Sequence, residues 1–209
     1  MLIELHGVAA RIGGAVILRD VALEVDAGEA VALYGSNGAG KTTILRILAT
    51  LLPVSAGTAR VLGIDLAGEE RFDVRGRIGL IGHTPALYPE LSMRANLEYV
   101  ADVAMVEHSE VDRVLQTVGL GGAADRPVEA VSHGMARRCE IARELMLAPE
   151  VLLLDEPHSA LDESAVALVA HLVDSVTARG GCAVVASHDR TQVDRLTDRQ
   201  VLLEAGSIS

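Results

Sequence analysis

The stretch GSNGAGKT, residues 35–42, constrains this chain more than any other. It follows the run EAVALYG, which is nearly all apolar, and opens a segment whose Ile44, Leu45, Leu48, Leu51 and Leu52 repeat on one helical face. A continuous apolar run of that length reads as a strand buried on both faces. The helical repeat predicts a helix that Pro53 stops. Between them the chain matches G-x-x-x-x-G-K-[ST], the phosphate-binding P-loop, in the strand-to-helix context that gives the pattern its meaning. Glycines at 35, 38 and 40 let the backbone curl so that successive N–H groups point inward at phosphate oxygens. The helix start adds partial positive charge. Lys41 is expected to reach the β- and γ-phosphates, and the Thr42 hydroxyl to ligate Mg²⁺. The candidate nucleotide-binding residues here are Gly35, Ser36, Asn37, Gly38, Ala39, Gly40, Lys41, Thr42 and Thr43.

The rest of the chain reads as α/β. LIEL, AVIL and VALEV are short β-prone runs before the loop, and GTARVLG and RIGLIG are further strands after it. From Ser92 to about Met146 the pattern turns helical, in SMRANLEYVADVAMV, in SEVDRVLQTVGL with Ser109 as its cap and a glycine stop, and in SHGMARRCEIARELML, ended by Pro149. Strand VLLLD, helix DESAVALVAHLVDSVTARG, strand CAVVAS and a final QVLLEAG then alternate. The expectation is one unit over residues 1–209, a mostly parallel core with a helical insertion at about 86–148.

Composition narrows the partners. Of 209 residues half are apolar and only 2% aromatic, so the core must be Leu, Val, Ile and Ala. A net charge of −11 disfavours nucleic acid, which needs a basic face. Cys139 and Cys182 have no metal-like spacing and read as core residues in a reducing compartment. The start MLIELHGVAARIGG has no signal-peptide pattern, and no apolar run approaches a membrane span.

Two further motifs carry chemistry. VLLLDEP, residues 151–157, is an apolar strand ending in two acids. Asp155 at the strand tip suits an Mg²⁺ contact, and Glu156 is placed to orient or deprotonate an attacking water. VSHGM, residues 131–135, precedes Asp155 by 155 − 132 = 23 residues from Ser132. Ser132 as N-cap and Gly134 in the first turn make a helix start able to bind an anion, although this stretch alone equally describes an ordinary capped helix.

Together these residues resemble the ATP-binding subunits of ABC transporters over essentially the full length. The order is P-loop at 35–42, Q-loop region at 78–85, signature VSHGM, Walker B at 151–156, SALD at 159–162 as the D-loop, and ASHD at 186–189 with its switch histidine. The resemblance implies a P-loop NTPase of the ABC ATPase fold, with an N-terminal antiparallel β subdomain and a helical signature subdomain. It implies ATP and Mg²⁺ as cofactors, a membrane-spanning partner subunit, a place on the cytoplasmic face of the membrane, and a head-to-tail pair of cassettes sandwiching two ATPs. In such a pair Ser132 and Gly134 would meet the γ-phosphate held by the other subunit. His188 would contact the γ-phosphate, and Asp162 would couple the two sites.

Three departures stand out. Val131, His133 and Met135 replace three residues of the family's LSGGQ signature. The position of the usual adenine-stacking aromatic is held by Ile12. His83 stands where the family has a glutamine that contacts the metal or attacking water, a position also compatible with an ordinary hydrogen-bonded strand-end histidine. IGH followed by a Pro, then a Leu and the NL-Y helix at Asn96–Tyr99, together with the short chain, resemble the haem-exporter subfamily of cytochrome c maturation. PALYPELS also resembles other exporters of drugs, lipids or polysaccharides. Two further readings are a nucleic-acid ABC ATPase, opposed by the charge and by the absence of a coiled-coil insertion or second cassette, and a structural nucleotide binder with weak activity, motivated by the altered signature and Ile12.

Overall fold

The computed structural model describes residues 1–158 and 163–208, without the side chains of residues 163, 164 and 192. Its first layer is antiparallel. Strands β1 (Ile3–Ile12) and β2 (Ala15–Val25) form a hairpin, so AVIL and VALEV belong to one long strand rather than two. After β3 (Ala30–Tyr34) and helix α1 (Lys41–Leu48), strands β4 (Ala56–Val61) and β5 (Ile64–Asp65) complete a sheet ordered β2-β1-β4-β5.

β6 (Ile78–Ile81) then leads into three helices, α2 (Met93–Ala104), α3 (His108–Thr117) and α4 (His133–Leu147). The chain returns through β7 (Val151–Asp155), α5 (Glu163–Thr177), β8 (Cys182–Ser187), the short α6 (Arg190–Val193), β9 (Arg199–Glu204) and β10 (Ser207–Ile208). The second sheet is ordered β10-β9-β3-β8-β7-β6, parallel from β9 to β6, with β10 antiparallel at its edge. Arg19 N–H donates to Gly206 O at 2.7 Å, and Ser207 Oγ donates to Arg19 O at 3.0 Å, which ties the two sheets together.

The alternation of side chains along a strand decides the core. Val31, Leu33, Val151, Leu153 and Val184 pack with α1 and the antiparallel sheet. Their neighbours Ala32, Leu152, Leu154, Ala183 and Val185 pack with the helices α2–α5. β7 and β8 are buried at every residue, as expected of parallel strands covered on both faces. No helix among the described residues is long and apolar enough to cross a membrane.

Two helix boundaries differ from the sequence expectation. α3 begins at His108 with Glu107 in the cap position, so Ser109 lies inside the first turn. His108 Nε2 bonds Asp102 Oδ1 at 2.8 Å, which anchors the start earlier than the serine. α1 ends at Leu48, well before Pro53. Thr50 adopts a left-handed φ of 60°, held by Arg75 bonds to its Oγ1 and carbonyl at 2.6 and 3.0 Å. Leu51 is thereby turned outward to 52% exposure, and Ile47 takes the buried position.

Candidate functional site

Four loops leave the carboxyl ends of adjacent parallel strands, the side of an open α/β sheet where ligands bind. β3 runs into Gly35–Gly40, β7 into Glu156, β8 into His188 and β6 into His83. The register brings these ends level: Tyr34 pairs with Ser187, Asp155 with Ala186, and Ile81 with Leu154. The resulting cleft has a volume of about 510 Å³. Its walls carry Asn37, Gly38, Gly40, Lys41, Thr42, Thr43, His83, Asp155, Glu156 and His188, with Ile12 and Ile17 reaching in from the antiparallel sheet.

The phosphate loop takes the left-handed turns that its glycines permit. Gly38 and Gly40 have φ of 82° and 110°, values that a side chain rarely tolerates. The Ala39 N–H closes the loop onto Ser36 O at 3.2 Å, while its side chain belongs to the core. Lys41 is 6% exposed and donates from Nζ to Gly35 O at 2.7 Å and Ser36 O at 3.1 Å. Its Nζ also lies 3.8 Å from Glu156 Oε1. Thr42 Oγ1 donates to Asp155 Oδ2 at 2.8 Å. Hydroxyl and carboxylate oxygens meeting at a loop built for phosphate are the hard donor set that Mg²⁺ takes.

Glu156 sits at φ 50°, outside ordinary backbone space for a glutamate. Its N–H donates to Ala186 O at 2.9 Å. Its Oε2 meets His188 Nδ1 at 2.9 Å and accepts from Ser187 Oγ at 3.3 Å. The carboxylate is therefore aimed into the cleft by a strained backbone and two neighbours. Such strain concentrates at functional positions.

Other expected residues fall elsewhere. Ser132 caps α4, its Oγ accepting from Met135 N–H at 3.2 Å, and Gly134 lies in the first turn. Neither lines the cleft, so within one chain the two anion-binding features stay apart. Asp162 lies outside the described residues. A larger groove of about 660 Å³ is lined by His6, Glu24, Asp26, Glu29, Asp198 and Arg199. It is acidic and has no glycine-rich loop, so it does not suit a polyphosphate.

Sequence reading missed three features. Ile17 lines the cleft beside Ile12. His158, just after Pro157, buries both ring nitrogens with no hydrogen-bond partner, and desolvation lowers its pKa against the pull of Asp189 and Glu156. Arg137 and Glu140 form a buried pair at 2.9 Å inside α4, 1% and 0% exposed. Leaving one member of such a pair alone costs about 3–5 kcal/mol. The sequence holds only a faint trace of the pair, charges standing on the stripe of α4 that carries Ala136, Cys139 and Ile141.

The fold and this cleft define a P-loop nucleotide-binding protein. The family model described as "ABC transporter" matches residues 18–159, more than half of the chain. The chain belongs to the ABC transporter family, and its domain is an ABC ATPase domain. It is 38% identical to the molybdenum import ATP-binding protein ModC of Mycobacterium tuberculosis, over 91% of this chain and 55% of that protein. It is 35% identical to the Nod factor export ATP-binding protein I of Rhizobium johnstonii, over 98% of this chain and 67% of that protein. The chain thus spans about half the length of the molybdenum relative. Among solved structures, an ATP-binding subunit of an ABC transporter superposes with a TM-score of 0.90 at 28% identity, covering 100% of this chain and 88% of that one. A dimeric ATP-binding cassette in a post-hydrolysis state with ADP and phosphate superposes with 0.88 at 25% identity, covering 100% and 97%.

Proposed function

We propose that this chain is the ATP-hydrolysing motor of an ABC transporter, working as a head-to-tail pair on the cytoplasmic face of a membrane beneath a separate membrane-spanning subunit. The observation that carries this reading is the convergence of Lys41, Thr42, Asp155, Glu156, His83 and His188 on one cleft. The Gly35–Gly40 backbone and Lys41 hold the phosphates. Thr42 and Asp155 would hold Mg²⁺, which would supply positive charge to the phosphates. Glu156 orients the attacking water and accepts its proton as the water oxygen bonds to the γ-phosphorus and ADP departs. His188 holds that carboxylate and faces the γ-phosphate. His83 would contact the metal or the attacking water. Ile12 and Ile17 pack on the base, and Ser132, Gly134 and Asp162 act across the pair.

The membrane partner is proposed to rest near α2. Tyr88, Leu91, Tyr99, Val103 and Met105 are exposed there, at 39% to 91%. Tyr88 and Tyr99 meet edge to face at 5.5 Å. Apolar side chains gathered in this way mark an interaction surface.

A specific observation favours one substrate class. Gly82-His83, the Pro and Leu that follow, and the helix carrying Asn96, Leu97 and Tyr99 resemble the haem exporters of cytochrome c maturation, and His83 lies in the cleft wall. We therefore propose haem export as the transport reaction. The test is haem staining of c-type cytochromes in a host lacking this gene, complemented with the wild type or with Glu156→Gln. Restoration by the wild type alone supports the haem reading and its need for turnover. Stained bands that persist in the deletion strain overturn haem export. ATP hydrolysis by purified protein at the wild-type rate after Glu156→Gln would overturn Glu156 as the base, and no ATP hydrolysis by the purified wild type would overturn the motor reading itself.

A further inference from the structure

Among the described residues β6 is the edge strand of the parallel sheet, paired with β7 on one side only, so the outer side of Leu80 and the loop from Gly82 to Ala86 have no strand beside them to satisfy their backbone. Side chains of α4 do so instead. Arg137 donates from Nη1 to Gly82 O at 2.8 Å and from Nη2 to His83 O at 3.2 Å. Glu140 Oε1 accepts from the Ala86 N–H at 2.9 Å. Arg143 donates from Nη1 to Ala86 O at 3.0 Å and from Nη2 to Leu80 O at 3.1 Å. The same side chains are locked to one another. Arg137 Nη1 bonds Glu140 Oε2 at 2.9 Å, and Arg143 Nε bonds Glu144 Oε1 at 2.9 Å.

This is an expensive way to hold a segment that water could solvate. Arg137 and Glu140 give up nearly all hydration, and apolar residues of similar volume in such places are often as stable or more so. Burial pushes the Glu140 carboxyl up, the opposite of what a pair selected for stability alone would give. What the pair supplies is geometry. A guanidinium fork fixes two successive carbonyls at once, including that of His83 itself. The clamp belongs to the helix that Ser132 caps, so His83 is registered to the start of α4.

We infer that Arg137 and Glu140 are positioning residues for His83, setting where its ring stands in the cleft and tying that position to α4. The inference rests on the proposed ATPase reading, since it needs His83 to act in turnover.

The test is a double-mutant cycle on ATP hydrolysis by the full 209-residue chain. Arg137→Met with Glu140→Leu removes both charges together and leaves no buried charge alone. The expected result is a kcat lower by about tenfold, with KM for ATP within about twofold, because misplacing a reacting group weakens chemistry more than binding. The melting temperature should not fall, which separates positioning from structural support. In a His83→Ala background the same pair should lower kcat by less than about twofold further, since groups acting through one residue are non-additive. Should the pair variant not fold, Arg137→Lys takes its place: it keeps the charge beside Glu140 but cannot fork onto both carbonyls. Unchanged kcat, or an equal fold-loss with and without His83, overturns the inference. Glu156→Gln in the same assay reports separately on whether turnover belongs to this cleft.

Discussion

Thr42 and Asp155 lie 113 residues apart in sequence and share a hydrogen bond of 2.8 Å. One opens α1 after the phosphate loop and the other ends β7, with β8 standing between β3 and β7 in the sheet. The two proposed metal contacts are therefore preassembled by the parallel core. Asp155→Asn and Thr42→Ala should each raise the Mg²⁺ concentration for half-maximal ATP hydrolysis by about tenfold or more, the scale on which metal-site partners act. Chelation of the metal should stop turnover. A Mg²⁺ titration checks this; unaltered half-saturation in both variants would remove the pair from the metal's coordination.

Glu156 holds its left-handed φ of 50° at a cost that a glycine would not bear. Glu156→Ala and Glu156→Gly lose the same contacts with His188, Ser187 and Lys41, so their difference isolates the backbone. Glu156→Gly should be the more stable by about 1 kcal/mol, read from urea unfolding. Both should lack turnover. Equal stability would mean the backbone relaxes when the side chain is gone.

Ile12 is 43% exposed and lines the cleft beside Ile17. An aliphatic side chain packs on a base without the ring–ring term. Ile12→Tyr should therefore tighten ATP binding by about two- to twelvefold, from a stacking gain of about 0.5–1.5 kcal/mol. Nucleotide titration measures it directly. Weaker binding would place the base against a different wall.

Gly79 in β6 faces the Glu144 carboxylate and Pro149 so closely that a Cβ would collide with both. Gly79→Ala should destabilise the protein by about 1–3 kcal/mol, the usual range for overpacking.

Glu144 itself has one oxygen, Oε2, without a hydrogen-bond partner, and burial raises its carboxyl's pKa despite Arg143. A carboxyl that holds its proton more tightly when folded contributes stability below its unfolded pKa and loses it as pH rises through the folded value. Glu144→Gln cannot ionise. Its melting temperature relative to the wild type should therefore rise as pH increases above about 4, the ordinary carboxylate range. A flat difference would assign the site an ordinary carboxylate, and a falling one a carboxylate that Arg143 holds ionised; either overturns the raised value.

How much was legible follows from the range of the forces involved. Glycine spacing, a strand-to-helix hydrophobic switch and a serine cap act over a few residues, so GSNGAGKT, VLLLDE and the Ser132 cap stand where sequence reading put them. Even there, a local signal can lose to a contact from outside its window. Asp102 moved the start of α3 ahead of Ser109, and Arg75 turned Leu51 out of the α1 stripe. The strand order β3-β8-β7-β6 is set by pairings across long separations, and that order brings His83 and His188 to one cleft with Lys41, while the packing of the antiparallel sheet adds Ile12. The Arg137–Glu140 clamp was the least readable feature. Charge on a helix normally marks its solvent face, and here burial against the Leu80–Ala86 backbone, a tertiary contact, turned two charges inward.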